Sequence, residues 1–220
     1  MIVYEEIFKK SGLSPTQQEI LKIVGEGKTI LEIGSSTGYM TKAFLSNKCI
    51  VDVIETDKQA VAKLPKEVRK KFAQSIEDSN ICRLLNKDYD YIIMADVLEH
   101  LVTPGEVLKR LLKVSSSKTK LLVSLPNVAC WMMRKQLFFN GDFQYQDSGL
   151  LDRTHLHFYT VKTLPKVLTE NGWKVEQVKG TITRLPFERL IKKVPLLYSF
   201  LVSKYKNLAY YHFLTISSKI

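Results

Sequence analysis

Short apolar runs alternate with amphipathic stretches along most of this chain. Amphipathic stretches around 15–25, 38–46, 58–70 and 104–114 have the periodicity of helices. The apolar runs are bounded by turn-forming residues and predict four buried strands: Thr29–Ile33, Ile50–Ile54, Tyr91–Met94 and Leu121–Leu125. Strands that alternate with helices in this way predict a parallel sheet covered on both faces.

The last third of the chain has a different pattern. Leu164–Asn171 is predicted as a helix closed by Gly172, and Trp173–Val178 and His212–Ser218 as strands. We expect these two strands to complete a seven-stranded sheet that is mostly parallel, with the last strand antiparallel. The predicted fold class is α/β, a single Rossmann-like three-layer sandwich over residues 1–220.

Composition supports one folded domain and leaves charge as the unusual feature. The chain has 220 residues, of which 45% are hydrophobic and 25% charged, which excludes disordered, collagen-like and disulfide-scaffold classes. Thirty-three Lys and Arg against 22 Asp and Glu give a net charge of +11. This charge favours an acidic partner, such as a phosphorylated substrate, an anionic membrane or nucleic acid. A lysine-rich solvated surface is the alternative.

The cysteines and the start of the chain indicate the compartment. Cys49, Cys82 and Cys130 are far apart and odd in number, so we expect them buried and reduced rather than bound to zinc or to one another. Glu5 and Glu6 stand where a signal peptide would carry positive charge, and no apolar run approaches roughly 20 residues. We therefore expect a cytoplasmic protein.

A glycine-containing turn lies between the first strand and the next helix, in the segment Leu31–Met40 (LEIGSSTGYM). Glycine allows backbone to approach a ligand closely, and open α/β sheets bind ligands beyond the carboxyl ends of their strands. A dinucleotide site would have the spacing G-x-G-x-x-G, but Ser36 and Tyr39 occupy two of those positions. The sequence therefore disfavours a nicotinamide or flavin enzyme.

This turn resembles the first motif of class I S-adenosylmethionine (SAM)-dependent methyltransferases. The resemblance implies SAM as the cofactor and S-adenosylhomocysteine as the product. It places around the methionine part of SAM the residues Glu32, Gly34, Ser35 and Gly38. Ser36 stands where the family usually has its middle glycine.

The second strand ends in Glu55-Thr56-Asp57. An acidic side chain at this point can accept hydrogen bonds from both ribose hydroxyls. The resemblance assigns that role to Glu55, beside Thr56, and Asp57 is the alternative.

Two further segments resemble the same family in the same order. Gln74–Asp78 is similar to the segment beside adenine, with Ser75 where an Asp is common, so backbone near Ile76 is the alternative contact. Tyr89–Leu101 resembles the fourth-strand motif, which implies that a group at the strand end lies over the cofactor: Ala95, Asp96 and Val97. Asp96, Glu99 and His100 also fit the amino terminus of a helix, where the dipole favours acidic groups.

The segment after the fifth strand is predicted to form the acceptor side, within a loop region spanning 126–160. Asp142–Thr160 is dense in polar and aromatic residues, and its part Leu151–Thr160 (LDRTHLHFYT), with Ser124–Asn127 ahead of it, resembles a methyltransferase subgroup of sugar and polysaccharide pathways. The resemblance implies O-methylation of a small-molecule acceptor, phosphorylated or sugar-linked.

His155 is the first candidate for general base, because its unperturbed pKa lies near neutrality. Asp152 and His157 are the other catalytic candidates. A histidine that only orders the loop is the alternative. A metal held by His155, His157 and Asp152 is conceivable in an extended segment, but the sequence offers no further ligand set and we expect no metal. Arg153 could pair with Asp152 or bind a substrate carboxylate or phosphate.

A basic and apolar insert, residues 181–211, precedes the last strand. It is interpreted as a lid, a dimer surface, or, through 184–206, an amphipathic patch on an anionic membrane. Oligomeric state stays open. A nucleic-acid methyltransferase is the second function class, supported by charge alone, since Asp96–Glu99 lacks the Asn/Asp-Pro-Pro-aromatic motif of DNA amino-methyltransferases. A non-catalytic SAM-binding module is the third, disfavoured by the acceptor segment.

Overall fold

A computed structural model describes residues 12–220, so Glu5 and Glu6, used above to argue against a leader, lie outside the described residues. The strands are β1 Thr29–Ile33, β2 Ile50–Ile54, β3 Lys70–Phe72, β4 Tyr91–Ala95, β5 Lys120–Pro126, β6 Trp173–Thr183 and β7 Tyr210–Lys219. The helices are α1 Pro15–Val24, α2 Tyr39–Ser46, α3 Lys58–Ala62, α4 Ile81–Leu84, α5 Pro104–Leu111, α6 Trp131–Lys135, α7 Thr163–Glu170, α8 Glu188–Ile191, α9 Pro195–Lys204 and α10 Lys206–Ala209.

The strands form one sheet in the order β3-β2-β1-β4-β5-β7-β6. β7 runs antiparallel to both β5 and β6, and the other pairs are parallel. The predicted fold class, a seven-stranded Rossmann-like sheet with an antiparallel last strand, is confirmed. The chain order reverses between β1 and β4, so a crevice opens at the carboxyl ends of these two strands.

One helix was predicted too long, and its predicted range ran into a strand that the sequence did not reveal. The stretch 58–70 is helical only over α3, and β3 follows at Lys70–Phe72. Pro65 explains the early end, because proline disfavours helical backbone in the residue before it and cannot continue the hydrogen-bond ladder. β3 is an edge strand paired only with β2, and its lysines carry no apolar alternation to reveal it.

The last two strands are longer than predicted. β6 runs to Thr183 and β7 begins at Tyr210, so both ends of the predicted insert 181–211 are strand and its remainder is 184–209. Register shifts interrupt the β6–β7 pairing near Val175 and Ile182. Each bulge reverses the inward and outward alternation, which is why sequence periodicity ended the strand early.

The core lies on both faces of the sheet. Neighbouring residues of β1 serve opposite faces: Leu31 packs with β5 and α7 residues, and Ile30 packs with Ile20 of α1 and Phe44 of α2. All three cysteines are free thiols, with Cys49 and Cys130 buried and Cys82 half-buried. Among residues 12–220, no helix has the length and hydropathy needed to cross a bilayer.

Candidate active site

A cavity of roughly 270 Å³ opens at the carboxyl ends of β1 and β4, at the point where the strand order reverses. Its wall combines the glycine turn, the end of β4, the acceptor loop near 149–155 and the start of β7. Six predicted site residues line it: Glu32, Gly34, Ser35, Ala95, Asp96 and His155. The structure therefore joins the predicted cofactor turn and the predicted acceptor segment in one space.

The glycine turn approaches the end of β4 so closely that it has no room for a side chain. Gly34 has φ +74°, and a Cβ atom there would lie 2.4 Å from Val97 Cγ2. Gly38 has φ +83°, and its Cβ would lie 2.8 Å from Leu64 Cδ2. Ser36 adopts φ +51° without being glycine. The two glycines are thus required by backbone conformation and by contact together.

Glu32 is a buried acid with a partner. Its side chain is 1% exposed, and its Oε2 accepts a hydrogen bond of 2.6 Å from Thr41 Oγ1. Burial raises the pKa of Glu32 to about 8, and the nearby charge of Glu55 adds to this. The Glu32 carboxyl lines the cavity, and its raised pKa means that it binds a proton near neutral pH.

Glu55 ties the second strand to the glycine turn. Its Oε2 accepts from the Ser36 amide at 2.8 Å, and its Oε1 accepts from the Asp57 amide at 3.0 Å and from Thr56 Oγ1 at 3.2 Å. Asp57, the alternative ribose ligand, caps α3 through its Oδ1 and the amide of Gln59. Neither Glu55 nor Thr56 lines the cavity.

The predicted adenine-side residues lie away from the cavity. Ser75 Oγ accepts a hydrogen bond of 3.1 Å from the Glu77 amide, and Ile76 is buried in the core. Val97 meets Gly34 from the end of β4. The cavity is thus lined by Glu32, Gly34 and Ser35 from the predicted methionine-side set, whereas Gly38 and the predicted adenine-side residues are not part of its wall.

Asp96 pairs with a histidine that the sequence did not single out. Asp96 Oδ1 lies 2.6 Å from His212 Nε2, and the other ring nitrogen of His212 lies 3.1 Å from Thr16 Oγ1. His212 reaches the cavity because β7 pairs antiparallel with β5, opposite Pro126. No local sequence signal reports that register, so this residue could not have been found from its neighbours in the chain.

Glu99 is a second buried acid in the cavity wall. It lies in the turn after β4, is 1% exposed, and lines the cavity. Neither of its carboxyl oxygens has a hydrogen-bond partner among the described residues. Burial raises the pKa of Glu99 well above its usual range, and the charges of Asp96 and Asp152 act in the same direction.

His155 and His100 stand beside this carboxyl. His155 Nε2 lies 3.9 Å from Glu99 Oε1, and the two imidazole rings meet edge to face with centroids 4.8 Å apart. Burial lowers the pKa of His155, and the adjacent His100 adds to that effect. His155 Nδ1 lies 3.3 Å from the carbonyl oxygen of Leu150. A neutral ring that donates there leaves its Nε2 lone pair facing Glu99.

The other predicted acceptor-side residues support this cluster or lie outside the cavity. Asp152 Oδ1 accepts from the amide and the hydroxyl of Thr154, at 2.9 and 2.6 Å. Arg153 forms an exposed ion pair of 2.6 Å with Asp147. His157 lies against Tyr159, with centroids 6.3 Å apart, and is not part of the cavity wall. The structure therefore separates His157 from His155.

The sequence profile of a family described as "Methyltransferase domain" matches residues 8–178. No curated protein matches the chain by sequence.

Solved structures share the fold at low sequence identity. A SAM-dependent methyltransferase from Archaeoglobus fulgidus has a TM-score of 0.67 at 14% identity, covering 98% of this chain and 99% of that one. A possible histamine N-methyltransferase from Thermotoga maritima has a TM-score of 0.64 at 15% identity, covering 99% and 95%. The Burkholderia thailandensis 1,6-didemethyltoxoflavin N1-methyltransferase, solved with S-adenosylhomocysteine, has a TM-score of 0.58 at 12% identity, covering 93% and 76%.

Proposed function

We propose that this chain, which belongs to the methyltransferase-domain family, transfers a methyl group from SAM to a hydroxyl of a small sugar or sugar-containing acceptor. One observation carries the proposal: a single cavity connects the glycine turn at Gly34 with the buried pair Glu99 and His155. A methyl donor held at the turn and an acceptor held at the pair would share that space. The reaction needs this proximity above all, because the sulfonium methyl is already activated.

The cofactor is proposed to bind along the strand ends in the order of the motifs. Its methionine part would contact Glu32, Gly34, Ser35 and Gly38, and the groups above it would be Ala95, Asp96 and Val97. Glu55 would accept the ribose hydroxyls. Its carboxylate keeps acceptor capacity beyond the Ser36, Asp57 and Thr56 contacts, since it has about four lone-pair sites. Ser75 and Ile76 would flank adenine.

His155 is proposed to take the proton from the acceptor hydroxyl. Its lowered pKa favours the neutral ring, and the Leu150 carbonyl orients Nδ1–H so that Nε2 is the basic atom. The acceptor oxygen would form a bond to the methyl carbon as the carbon–sulfur bond breaks, giving neutral S-adenosylhomocysteine. Asp152 would position the segment through Thr154.

Cavity size and motif resemblance support the choice of acceptor. The cavity of roughly 270 Å³ is lined by both the glycine turn and His155, so its acceptor end has room for a small group rather than for a macromolecule. The segment Leu151–Thr160 resembles the sugar-pathway subgroup. One structural relative is named for N-methylation of a toxoflavin precursor and another as a possible histamine N-methyltransferase, so the choice of a hydroxyl acceptor rests on the motif and not on the fold.

A binding and transfer assay tests the proposal. Calorimetry should show micromolar affinity for SAM, and isotope-labelled SAM incubated with sugar nucleotides and free sugars should give a methylated product by intact mass. Histamine-like amines and short RNA serve as comparison acceptors. Transfer to an amine or to RNA, with none to sugars, would replace the acceptor assignment, and binding of NAD without SAM would remove the cofactor.

A further inference from the structure

We infer that Glu99, His100 and His155 form a binding site for a divalent transition-metal ion at the acceptor end of the cavity. The three residues each offer one ligand atom, and these atoms lie within 4.8 Å of one another. Glu99 and His100 come from the turn after β4, and His155 comes from the acceptor loop. The set differs from the group of His155, His157 and Asp152 considered from sequence.

The buried carboxyl of Glu99 lacks hydrogen-bond donors from the other described residues. Among residues 12–220, no other residue donates a hydrogen bond to either of its buried oxygens, and only the amide of Glu99 itself favours the charged form. The amides of Leu156 and His157 donate instead to the backbone carbonyl of Glu99, at 2.8 and 3.1 Å. Buried carboxylates in proteins are normally paired, hydrogen-bonded or bound to a metal. An ion between Glu99 and the two histidines would satisfy the carboxylate where nothing in residues 12–220 does.

Both histidines are oriented in the way that metal-binding histidines are. His155 Nδ1 lies 3.3 Å from the Leu150 carbonyl oxygen, and His100 Nδ1 lies 3.1 Å from the Thr154 carbonyl oxygen. A ring that donates Nδ1–H to a backbone carbonyl presents its Nε2 lone pair to an ion, and such outer contacts fix the ligands of known sites. Asp152 in turn holds Thr154 in place, because its Oδ1 accepts two hydrogen bonds from that residue.

The ligand chemistry selects the class of ion. Two imidazoles and one carboxylate suit first-row ions such as Zn²⁺, Co²⁺ and Fe²⁺ better than Mg²⁺ or Ca²⁺, which prefer oxygen. Ligand atoms at about 2.1 Å from one ion lie roughly 3–3.5 Å apart, so binding would draw the side chains closer together. Three protein ligands leave at least one position open toward the cavity.

If the protein methylates a hydroxyl, as proposed above, the open coordination position would bind the acceptor. An acceptor hydroxyl bound to the ion would lose its proton to solvent more readily, because a divalent ion lowers the pKa of a coordinated O–H group. The resulting oxygen would form the bond to the methyl carbon while the carbon–sulfur bond breaks and the sulfur leaves as a neutral thioether. In that state His155 is a ligand, and it acts as a base only in metal-free protein.

Cobalt titration of chelator-stripped protein tests the site directly. Wild type should bind one Co²⁺ per chain and develop the visible absorption of a coordinated cobalt ion, and Zn²⁺ should displace it. Glu99→Gln and His100→Gln should each weaken Co²⁺ binding by at least about 100-fold, since each removes a ligand where loss of a mere supporting contact costs 10–100-fold. His157→Gln is the matched control and should bind like wild type. Thermal unfolding confirms that each variant is folded.

The outcomes separate the metal site from the methyl transfer. No cobalt spectrum in wild type, or equal weakening in His157→Gln, would overturn the site even if SAM binds and methyl transfer proceeds in stripped protein. A cobalt spectrum lost in both ligand variants supports the site even if no transfer from SAM is found, in which case the proposed function fails alone. Activity lost on stripping and restored by Zn²⁺ or Co²⁺ would support both.

Discussion

Two buried glutamates face the same cavity in opposite circumstances. Glu32, beside the glycine turn on the predicted cofactor side, and Glu99, beside His155 on the predicted acceptor side, are each 1% exposed, and burial raises the pKa of both. Thr41 donates a hydrogen bond to Glu32, whereas neither oxygen of Glu99 has a hydrogen-bond partner in the described chain. The carboxyl beside the glycine turn is therefore hydrogen-bonded within the fold, whereas the carboxyl beside His155 has no hydrogen-bond partner from another described residue.

The difference shows that burial of an acid does not by itself assign a role. Burial favours the neutral form of Glu32, although the hydrogen bond donated by Thr41 favours the charged form, so this carboxyl can be structural. The carboxyl of Glu99 lies instead beside two imidazoles, with one possible ligand atom from each of the three residues within 4.8 Å of the others, which is the basis of the metal site proposed above. Four substitutions would break or sharpen this comparison.

The largest expected effect is on stability in alkaline solution, through Glu32→Gln. The folded pKa of about 8 lies above the usual 4.5, so the folded state keeps a proton that the unfolded state loses. Wild-type stability should therefore fall as pH rises from 4.5 and level off above 8, a loss of roughly 4–5 kcal/mol. Below 4.5 both states are protonated and the effect is absent.

Urea unfolding at pH 5 and pH 9 measures this effect. Glu32→Gln mimics the neutral acid and should remove the part of the decline that Glu32 causes, leaving the part that Glu99 causes, so that the variant is more stable than wild type at pH 9. The exposed Glu26→Gln is the control and should follow the wild-type curve. Parallel curves for wild type and Glu32→Gln would mean that the Glu32 carboxyl ionises normally.

Gly34→Ala should destabilise the protein by about 2–5 kcal/mol. Left-handed backbone costs a non-glycine residue roughly 1–2 kcal/mol, and moving Val97 away from a Cβ at 2.4 Å adds an overpacking cost of about 1–3 kcal/mol. Gly27→Ala is the matched control, since Gly27 has φ +65° with nothing within 4 Å of its Cβ. Denaturant midpoints measure both, and equal losses would show that Val97 yields freely.

His155→Ala should lower turnover by at least about 10²-fold, whether the ring acts as base or as ligand, and leave the affinity for SAM within a factor of about three. The reason is its place at the acceptor end, away from the glycine turn. Steady-state kinetics and calorimetry measure the two quantities, with His157→Ala as the comparison because His157 lies outside the cavity wall. Unchanged turnover would leave proximity as the source of catalysis, and equal losses would remove the distinction between the histidines.

The two sides of the cavity also differ in how well their residues could be predicted from the sequence. The cofactor turn was predicted because its requirements are local: glycine at Gly34 and Gly38, and an acid at the end of β1 and β2. The strands β1 and β4 were predicted for the same reason, since their apolar runs are continuous. β3 was missed because Lys70 and Lys71 conceal an edge strand.

The acceptor side depends on contacts between distant segments. Glu99 and His155 meet because the Leu156 amide donates to the Glu99 carbonyl, and His212 meets Asp96 because β7 pairs with β5. Neither pairing leaves a trace in local periodicity. The sequence therefore identified His155 as a candidate but could not identify the residues that surround it. The sequence also grouped His155 with His157, whose ring lies against Tyr159 and outside the cavity wall.

The smallest predicted effect concerns the cofactor side and its acid at the end of β2. Glu55→Ala should weaken SAM binding by about 1–3 kcal/mol, the range for leaving buried hydrogen-bond partners unsatisfied. Both the ribose hydroxyls and the Ser36 amide would lose their acceptor. Asp57→Asn is the control, because asparagine keeps the Oδ1 that caps α3 and should leave SAM affinity unchanged. Calorimetry measures both, and a larger loss in Asp57→Asn would transfer the ribose contact from Glu55 to Asp57.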